Sequence, residues 1–388
     1  MLALTAAALG YVSVAYTLGY SLRTSATERG HRLAPADGRI TALMAQRLAK
    51  IDARAADRHL ANRLARAALL QDPTAVVAAS TLGLNAQLAG DTKSARRLFS
   101  YAEKLSRREF QTEIWAIEDA VGRGDVPGVL HHYDVALRTS RSAPDVLFPI
   151  LGTAISQPDV QRALLPVLNR APSWRDPFFQ WLIGNGINDK AAAILLAGMG
   201  EGGRRERSDL IARLEQNLIE AGDYATAWAL YQRHQPMSRR DVLRDGQFKA
   251  AGTGSGSPFD WIMASEHGAA TIGREGDGYA MTFTTAPASK DVLVKQFELL
   301  PPGRYRITDT VSLDSGSAPD SLPYWSLRCV DGRELGRQVL GEKGVNRTII
   351  VPPDCPAQWL ALASDGGDAV SGVSGTVTNV AMTPEKRL

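Results

Sequence analysis

The chain is poor in the residues that most often carry chemistry. Its 388 residues include only two cysteines and six histidines. No HExxH segment, GxSxG elbow or P-loop occurs, so the common signatures of zinc peptidases, serine hydrolases and P-loop nucleotide enzymes are missing. Gly198-Met199-Gly200-Glu201-Gly202-Gly203 spells GxGxxG. It follows the helical run AAAILLA, whereas a dinucleotide loop needs a strand before it and a helix after. It reads as a loop between helices. Arg123-Gly124-Asp125 likewise reads as the turn of a helical hairpin. Two cysteines without further His or Cys neighbours do not form a zinc site. His131 and His132 are adjacent, so on a helix they point about 100° apart and do not share a metal. Asn346-Arg347-Thr348 is a glycosylation sequon by pattern only. No carboxylate pair stands out for glycoside hydrolysis, whose geometry is three-dimensional. The expectation is a non-enzymatic protein with no cofactor and no metal.

Net charge is also scarce. At +3 it gives no argument for a nucleic-acid partner. Residues 248–388 carry 13 basic and 16 acidic groups, leaving an excess of +6 for residues 1–247. Much of that excess lies in Arg204-Arg205-Glu206-Arg207 and Arg239-Arg240, which read as solvated helix ends and loops.

Charge and proline are absent altogether from residues 2–22 (LALTAAALGYVSVAYTLGYSL). Twenty-one helical residues are long enough to cross a bilayer. Arg23 ends the run, and Tyr11, Tyr16 and Tyr20 add interfacial character. An uncleaved single-span anchor is expected, with 23–39 as a linker. The rivals are a cleaved signal peptide and a buried soluble helix. No basic n-region precedes the run and no clear small-x-small site follows it. Ala6/Gly10 and Ala15/Gly19 fit a small-xxx-small packing face. Arg23, Arg29 and Arg32 follow the span, which by the positive-inside rule places the bulk of the chain in the cytoplasm.

What the chain has in abundance is internal repetition. Asp57, Asp91, Asp125, Asp159, Asp189 and Asp223 stand at intervals of 34, 34, 34, 30 and 34 residues. A fixed period in this range marks stacked helical repeats. Four residues after each aspartate stand Ala61, Ala95, Val129, Ala163, Ala193 and Ala227. Eight after stand Ala65, Phe99, Tyr133, Val167, Ala197 and Tyr231. Eleven after the first three stand Ala68, Ala102 and Ala136. These offsets share one helical face. Small residues at offset 4 let two helices approach closely. Gly90, Gly124 and Gly222 precede three of the aspartates, a glycine stop followed by an N-cap. Pro73 stands where it would end the second helix of the first pair.

Residues 40–236 resemble the tetratricopeptide repeat (TPR) family, most closely in AGDTKSARRLFSYAEKL and GRGDVPGVLHHYDVAL. The likeness weakens at SQPDVQRALLPVL, where Gln157-Pro158 replaces the usual turn. It implies an α-solenoid that holds a protein partner on its concave surface.

After Pro236 helical periodicity gives way to Gly, Ser, Thr and Pro between short alternating runs. Residues 250–258 (AAGTGSGSP) read as a loop, and 237–258 as a linker with a first strand. Candidate strands are 279–284, 292–299, 304–313, 324–330, 347–351, 359–363 and 373–382, the pattern of an all-β sandwich over 259–388. Cys329 and Cys355 both fall here, which suggests a disulfide and hence an oxidising compartment. The alternative is two buried free thiols. The cysteines outweigh the three arginines as an indication of sidedness.

The stretch DGQF…PFDW, with LPPGRYRI and VSGTVTNVAMTP, resembles carbohydrate-binding modules with a galactose-binding-like jelly roll over residues 240–384. Lys249 follows Phe248 where many such modules place an acidic calcium ligand, so a calcium site does not carry over. Sugars stack on exposed aromatic rings. Trp261, Tyr279, Tyr324 and Trp325 are the candidate glycan-binding residues, and Trp359 is also available. The competing account is that most of these rings are core. Tyr324 and Trp325 are adjacent in a predicted strand and so point to opposite faces. At most one faces the core, and the other is the best single platform candidate.

Together these features describe an expected bacterial-type inner-membrane, single-pass protein with most of the chain in the periplasm. It would be a scaffold that binds protein through its repeats and glycan through its sandwich, in envelope or surface-polysaccharide assembly. A pure protein-interaction adaptor is the alternative, and a glycan-modifying enzyme is a third possibility.

Overall fold

The computed structural model describes residues 2–50, 52–200, 207–249, 256–314, 322–341, 348–365 and 372–385. Residues 204–206 of the basic run, 201–203 of the GxGxxG stretch, 250–255 of the glycine-rich loop and Asn346-Arg347 of the sequon lie outside them. The chain divides into two compact units, Met1–Phe178 and Phe179–Leu388. The division falls within a helix rather than near Pro236, where the composition changes.

The first unit is helical. Helix α1 (Leu2–Leu22) is followed by α2 (Thr27–Leu33), α3 (Gly38–Leu48), α4 (Ala55–Gln71), α5 (Val76–Leu88), α6 (Thr92–Leu105), α7 (Phe110–Gly122), α8 (Val126–Thr139), α9 (Ala143–Ala154) and α10 (Pro158–Asn169). Ala3–Leu22 is long and apolar enough to cross a membrane, a property that a signal sequence shares. Residues 23–39 are not a simple linker, because α2 lies within them. A Cβ on Gly30 would stand 2.9 Å from the Gly19 carbonyl oxygen. The small-residue face at Ala15 and Gly19 therefore packs, at Gly19, on the chain's own next helix.

Helices α3 and α4, α5 and α6, and α7 and α8 form close consecutive pairs. The second and third pairs repeat at 34 residues, from Val76 to Phe110 and from Thr92 to Val126. The ladder aspartates mark the start of every second helix from α4 onward, but in two ways. Asp91, Asp125 and Asp223 are N-caps, accepting from the amides of Ser94 at 3.0 Å, Gly128 at 3.0 Å and Thr226 at 3.1 Å. The preceding Gly90, Gly124 and Gly222 have φ of 80°, 69° and 78°, a conformation that glycine adopts without strain. Asp57, Asp159 and Asp189 lie instead in a first turn, behind Arg54, Gln157 and Asn188, none of which caps through its side chain. There a carboxylate still complements the helix dipole.

Ala61, Ala65, Ala68, Ala95, Phe99, Ala102, Ala136, Ala193 and Ala227 are all buried, as their spacing requires. Val129, Ala163, Val167 and Ala197 are only half-buried, and in α10 Leu164 and Leu168 take the buried positions. This helix packs against α8 and carries Pro166 internally, so a neighbouring stripe faces inward.

Helix α11 (Arg175–Gly184) spans the division. The second unit continues with α12 (Asp189–Gly198), α13 (Ser208–Glu220) and α14 (Tyr224–His234). Two five-stranded antiparallel sheets follow. One has the order β1 (Ile262–Met263), β4 (Lys290–Glu298), β9 (Gln358–Asp365), β6 (Tyr324–Cys329), β7 (Glu334–Val339). The other has the order β2 (Ala269–Glu275), β3 (Gly278–Thr284), β10 (Ser374–Pro384), β5 (Gly303–Leu313), β8 (Ile349–Val351). Both sheets contribute to one core, with Trp325, Leu327, Leu360 and Leu362 from the first and Met281, Phe283, Ile307 and Val377 from the second. The described part of 237–258 holds no strand. Phe248 is nonetheless fully buried in the core, and the Val380 amide donates to the Gly246 carbonyl at 2.9 Å. Cys329, at the end of β6, and Cys355, in the turn before β9, are disulfide-bonded.

Helix α14 packs on the sandwich through aromatic rings. Tyr231 lies 4.9 Å and Trp228 5.5 Å from Phe259, and Tyr224 lies 5.7 Å from Phe297. Beneath them Arg244, 6% exposed, pairs at 3.0 Å with Glu298, which has no exposure at all. The Arg244 Nε donates to the Phe259 carbonyl at 3.0 Å, and its Nη2 to the Phe297 carbonyl. Burial pushes the Glu298 carboxyl up, against the attraction of Arg244. Nearby, Glu215 of α13 accepts from the Ser257 hydroxyl. Burial pushes its pKa up to about 8, with the charge of Asp260 adding to the rise and the Ser257 hydrogen bond opposing it.

Two outcomes are expected. Asp125→Ala and Asp223→Ala each lose about 1 kcal/mol in a urea titration followed by circular dichroism, because each removes a side-chain cap. Asp159→Ala, which removes a dipole contact and an exposed ion pair but no cap, loses clearly less, and equal losses at all three sites would refute the division. Glu215 holds its proton more tightly when folded than its ordinary value of 4.5. Its contribution is therefore complete below that pH and lost as pH rises through about 8. Glu215→Gln is expected to flatten the fall in melting temperature between pH 5 and pH 9 and to melt above the wild type at pH 9. A variant that melts lower there would contradict the assignment.

Candidate functional site

The sheet β1-β4-β9-β6-β7 turns one face to the core and the other outward. Directly paired residues on neighbouring strands point to the same side. Register therefore fixes the outward rows: Val292, Ala363 and Tyr324; Lys295, Ala361 and Ser326; Phe297, Trp359 and Arg328. Lys290 pairs with Asp365 at the open end. Small residues at the centre of this face leave a depression. It is a groove of about 600 Å³ with Ser326, Ala361 and Ala363 in its lining, together with Trp359, Tyr324, Lys290, Lys295, Arg328, Asp291, Asp365 and Glu266.

The two rings of the groove are both engaged. Trp359 is half-buried, meets the edge of Phe297 at 5.0 Å, and carries the Lys295 ammonium 4.7 Å from its ring centroid. Tyr324 is only 6% exposed. Its hydroxyl donates to Asp365 at 2.6 Å, and the Arg337 guanidinium lies 4.6 Å over its ring. Burial, with the hydrogen bond and charge of Asp365, pushes the phenol up to about 12. It therefore stays a neutral donor at any physiological pH. Arg337 also meets Asp365 at 2.8 Å.

Asp291 anchors the rim. Its carboxylate accepts from the Ser265 hydroxyl at 2.7 Å and from the amides of Gly268 at 2.9 Å, Val292 at 2.9 Å, Glu266 at 3.1 Å and His267 at 3.1 Å. Burial pushes its pKa up, but these hydrogen bonds outweigh that and hold the carboxyl well below the usual range.

The residues expected to bind glycan are dispersed. Trp261 and Trp325, 7% and 0% exposed, are core side chains, 5.8 Å apart between ring centroids, and present no ring to solvent. Trp325 faces the core and Tyr324 faces out, as strand alternation requires. Tyr324 is nevertheless no bare platform, because Arg337 and Asp365 cover it. Tyr279 is exposed, but it belongs to β3 in the other sheet and does not line the groove. The residues that do gather there are Trp359, Lys290, Lys295, Arg328 and Asp365. Their signal in the sequence was strand alternation, but only pairing register could place three strands side by side.

The described residues of the helical unit also form concave surfaces. One is an apolar groove of about 650 Å³ along α7, α8 and α9, with Val121 and Ile150 more than half exposed. Another is a smaller polar pocket of about 350 Å³ that reaches His132, which meets the buried Glu113 at 2.9 Å. That hydrogen bond raises the His132 pKa, against a lowering by burial.

Because the Asp291 carboxyl titrates lower when folded than when unfolded, its stabilisation is present above the ordinary aspartate range and lost as pH falls through the depressed value. Asp291→Asn replaces a multiple acceptor by a group with its own N–H donors. It is expected to lose about 2 kcal/mol or more at pH 7 in denaturation followed by tryptophan fluorescence. The difference from wild type is expected to shrink toward pH 2, and a pH-independent loss would mean that its cause is not charge. No protein-family model matches this chain, and no curated protein matches it in sequence.

Proposed function

We propose that this protein is a membrane-anchored scaffold that binds a protein partner through its helical repeats and a saccharide in the outer-face groove of its sandwich. The observation that carries the saccharide half is the groove itself. It has a floor of small residues, a tryptophan and a tyrosine at its sides, and charged side chains along its length. Small floors admit a pyranose ring, and polar rims fix its hydroxyls. The antiparallel two-sheet arrangement supports the likeness to jelly-roll carbohydrate-binding modules. The recurrence of helix pairs at 34 residues supports a TPR-like α-solenoid. The apolar groove along α7, α8 and α9 supports protein binding there.

The apolar α1 supports tethering to a bacterial-type inner membrane, and the Cys329–Cys355 bond supports a periplasmic location for most of the chain. In this role the protein would organise assembly of the envelope or of a surface polysaccharide without catalysing a step. A pure protein adaptor is the second reading. It is favoured by the cation that lies over each ring of the groove.

The test is a glycan array probed with the full chain in nanodiscs of neutral lipid. Wild type is expected to retain a defined set of saccharides. Ala361→Trp, which fills the floor, is expected to weaken binding to that set at least tenfold while leaving the melting temperature within a few degrees. Absence of any retained glycan, or binding that Ala361→Trp leaves intact, would remove the saccharide half and leave the adaptor.

A further inference from the structure

Three carboxylates line the groove, and two of them are already satisfied inside the protein. Asp291 accepts five hydrogen bonds, and Asp365 is held by Tyr324 and Arg337. Only Glu266, at the rim, has a side chain without such a partner among the described residues. The basic side chains show the opposite pattern. Arg328 pairs with Glu334 at 3.1 Å. Lys290 and Lys295 have no carboxylate within ion-pair distance among the described residues, although both line the groove. Their positions along β9 are four residue steps apart, at Asp365 and Ala361, or about 13 Å at the strand rise. That separation exceeds one sugar ring. The rings that would stack a neutral sugar are meanwhile covered by Lys295 and Arg337.

We infer that the groove takes an anionic saccharide, a chain of uronic acid residues, with Lys290 and Lys295 as counter-charges to two of its carboxylates. This rests on the saccharide reading of the same groove and specifies its ligand class. Two separated positive charges match a polymer with repeating carboxylates better than a single charged monosaccharide. The Tyr324–Asp365–Arg337 cluster holds one wall of the groove in place beside them.

The experiment compares oligomers of galacturonate, mannuronate and glucuronate-containing chains with their methyl esters, which keep the ring and remove the charge. Binding is measured by calorimetry on the full chain in phosphatidylcholine nanodiscs. Wild type is expected to bind at least one acid form tenfold or more tightly than its ester, with the preference lost at high salt. The double variant K290Q/K295Q is expected to lose that preference while keeping the wild-type melting temperature. Equal affinity for an acid and its ester would overturn the inference and leave saccharide binding standing. Binding of neither form would overturn the inference, and the glycan array then decides the broader reading independently. A preference for the acid that survives in the double variant would overturn the assignment to these two lysines.

Discussion

The buried Arg244–Glu298 pair is the constraint on which the second unit depends. A carboxylate taken wholly out of water is costly, and removing its partner alone would leave that cost uncompensated. The planar guanidinium offsets that cost through charge, in an ion pair with Glu298, while it donates hydrogen bonds to the carbonyls of Phe259 and Phe297. Those partners lie on two segments, the turn before β1 and the end of β4. The same guanidinium lies within 6.0 Å of the rings of Trp228, Tyr231 and Phe259. One side chain therefore ties α14, the chain after it and the first sheet into a single polar and aromatic knot. That helps explain why the last helices belong to the same compact unit as the sandwich.

The groove follows from that arrangement. Packing Tyr224 on Phe297 covers one end of the outward face of β4. Beyond that contact the face is lined by alanines and a serine, too small to fill the space between the larger side chains at its ends. The polar groups around it are not equivalent. Asp291 and Asp365 do structural work on the rim and wall, while Lys290 and Lys295 are unpaired by carboxylates among the described residues. The electrostatic character of the groove is set by which charges the fold has already consumed, and a simple count of acids and bases would miss it.

Much of the helical half was legible in the residues. The 34-residue spacing, the glycine before Asp91, Asp125 and Asp223, and the alanines at offset 4 all report local geometry: a left-handed residue, a cap and a close helix contact. Local rules failed where tertiary packing chose differently. Ala163 yielded its buried place to Leu164 because α10 packs on α8. Strands were legible where alternation was strong, as in β5 and β9. They were not legible in β2, AATIGRE, whose residues are mostly exposed, or in β1, only two residues long. The site was least legible. Trp261 and Trp325 have the composition of a sugar platform and the location of a core, and nothing in a single strand distinguishes the two.

By itself the sequence determined the class of each half, the apolar N-terminal helix and the helix starts, because these depend on neighbours within a few turns of chain. It also brought the only two cysteines into one β region, where they bond. Tertiary structure alone decided which rings reach solvent, which carboxylates are satisfied and which lysines are not. Those properties arise from residues on different strands, such as Lys295, Ala361 and Ser326, that become neighbours only when pairing register is set.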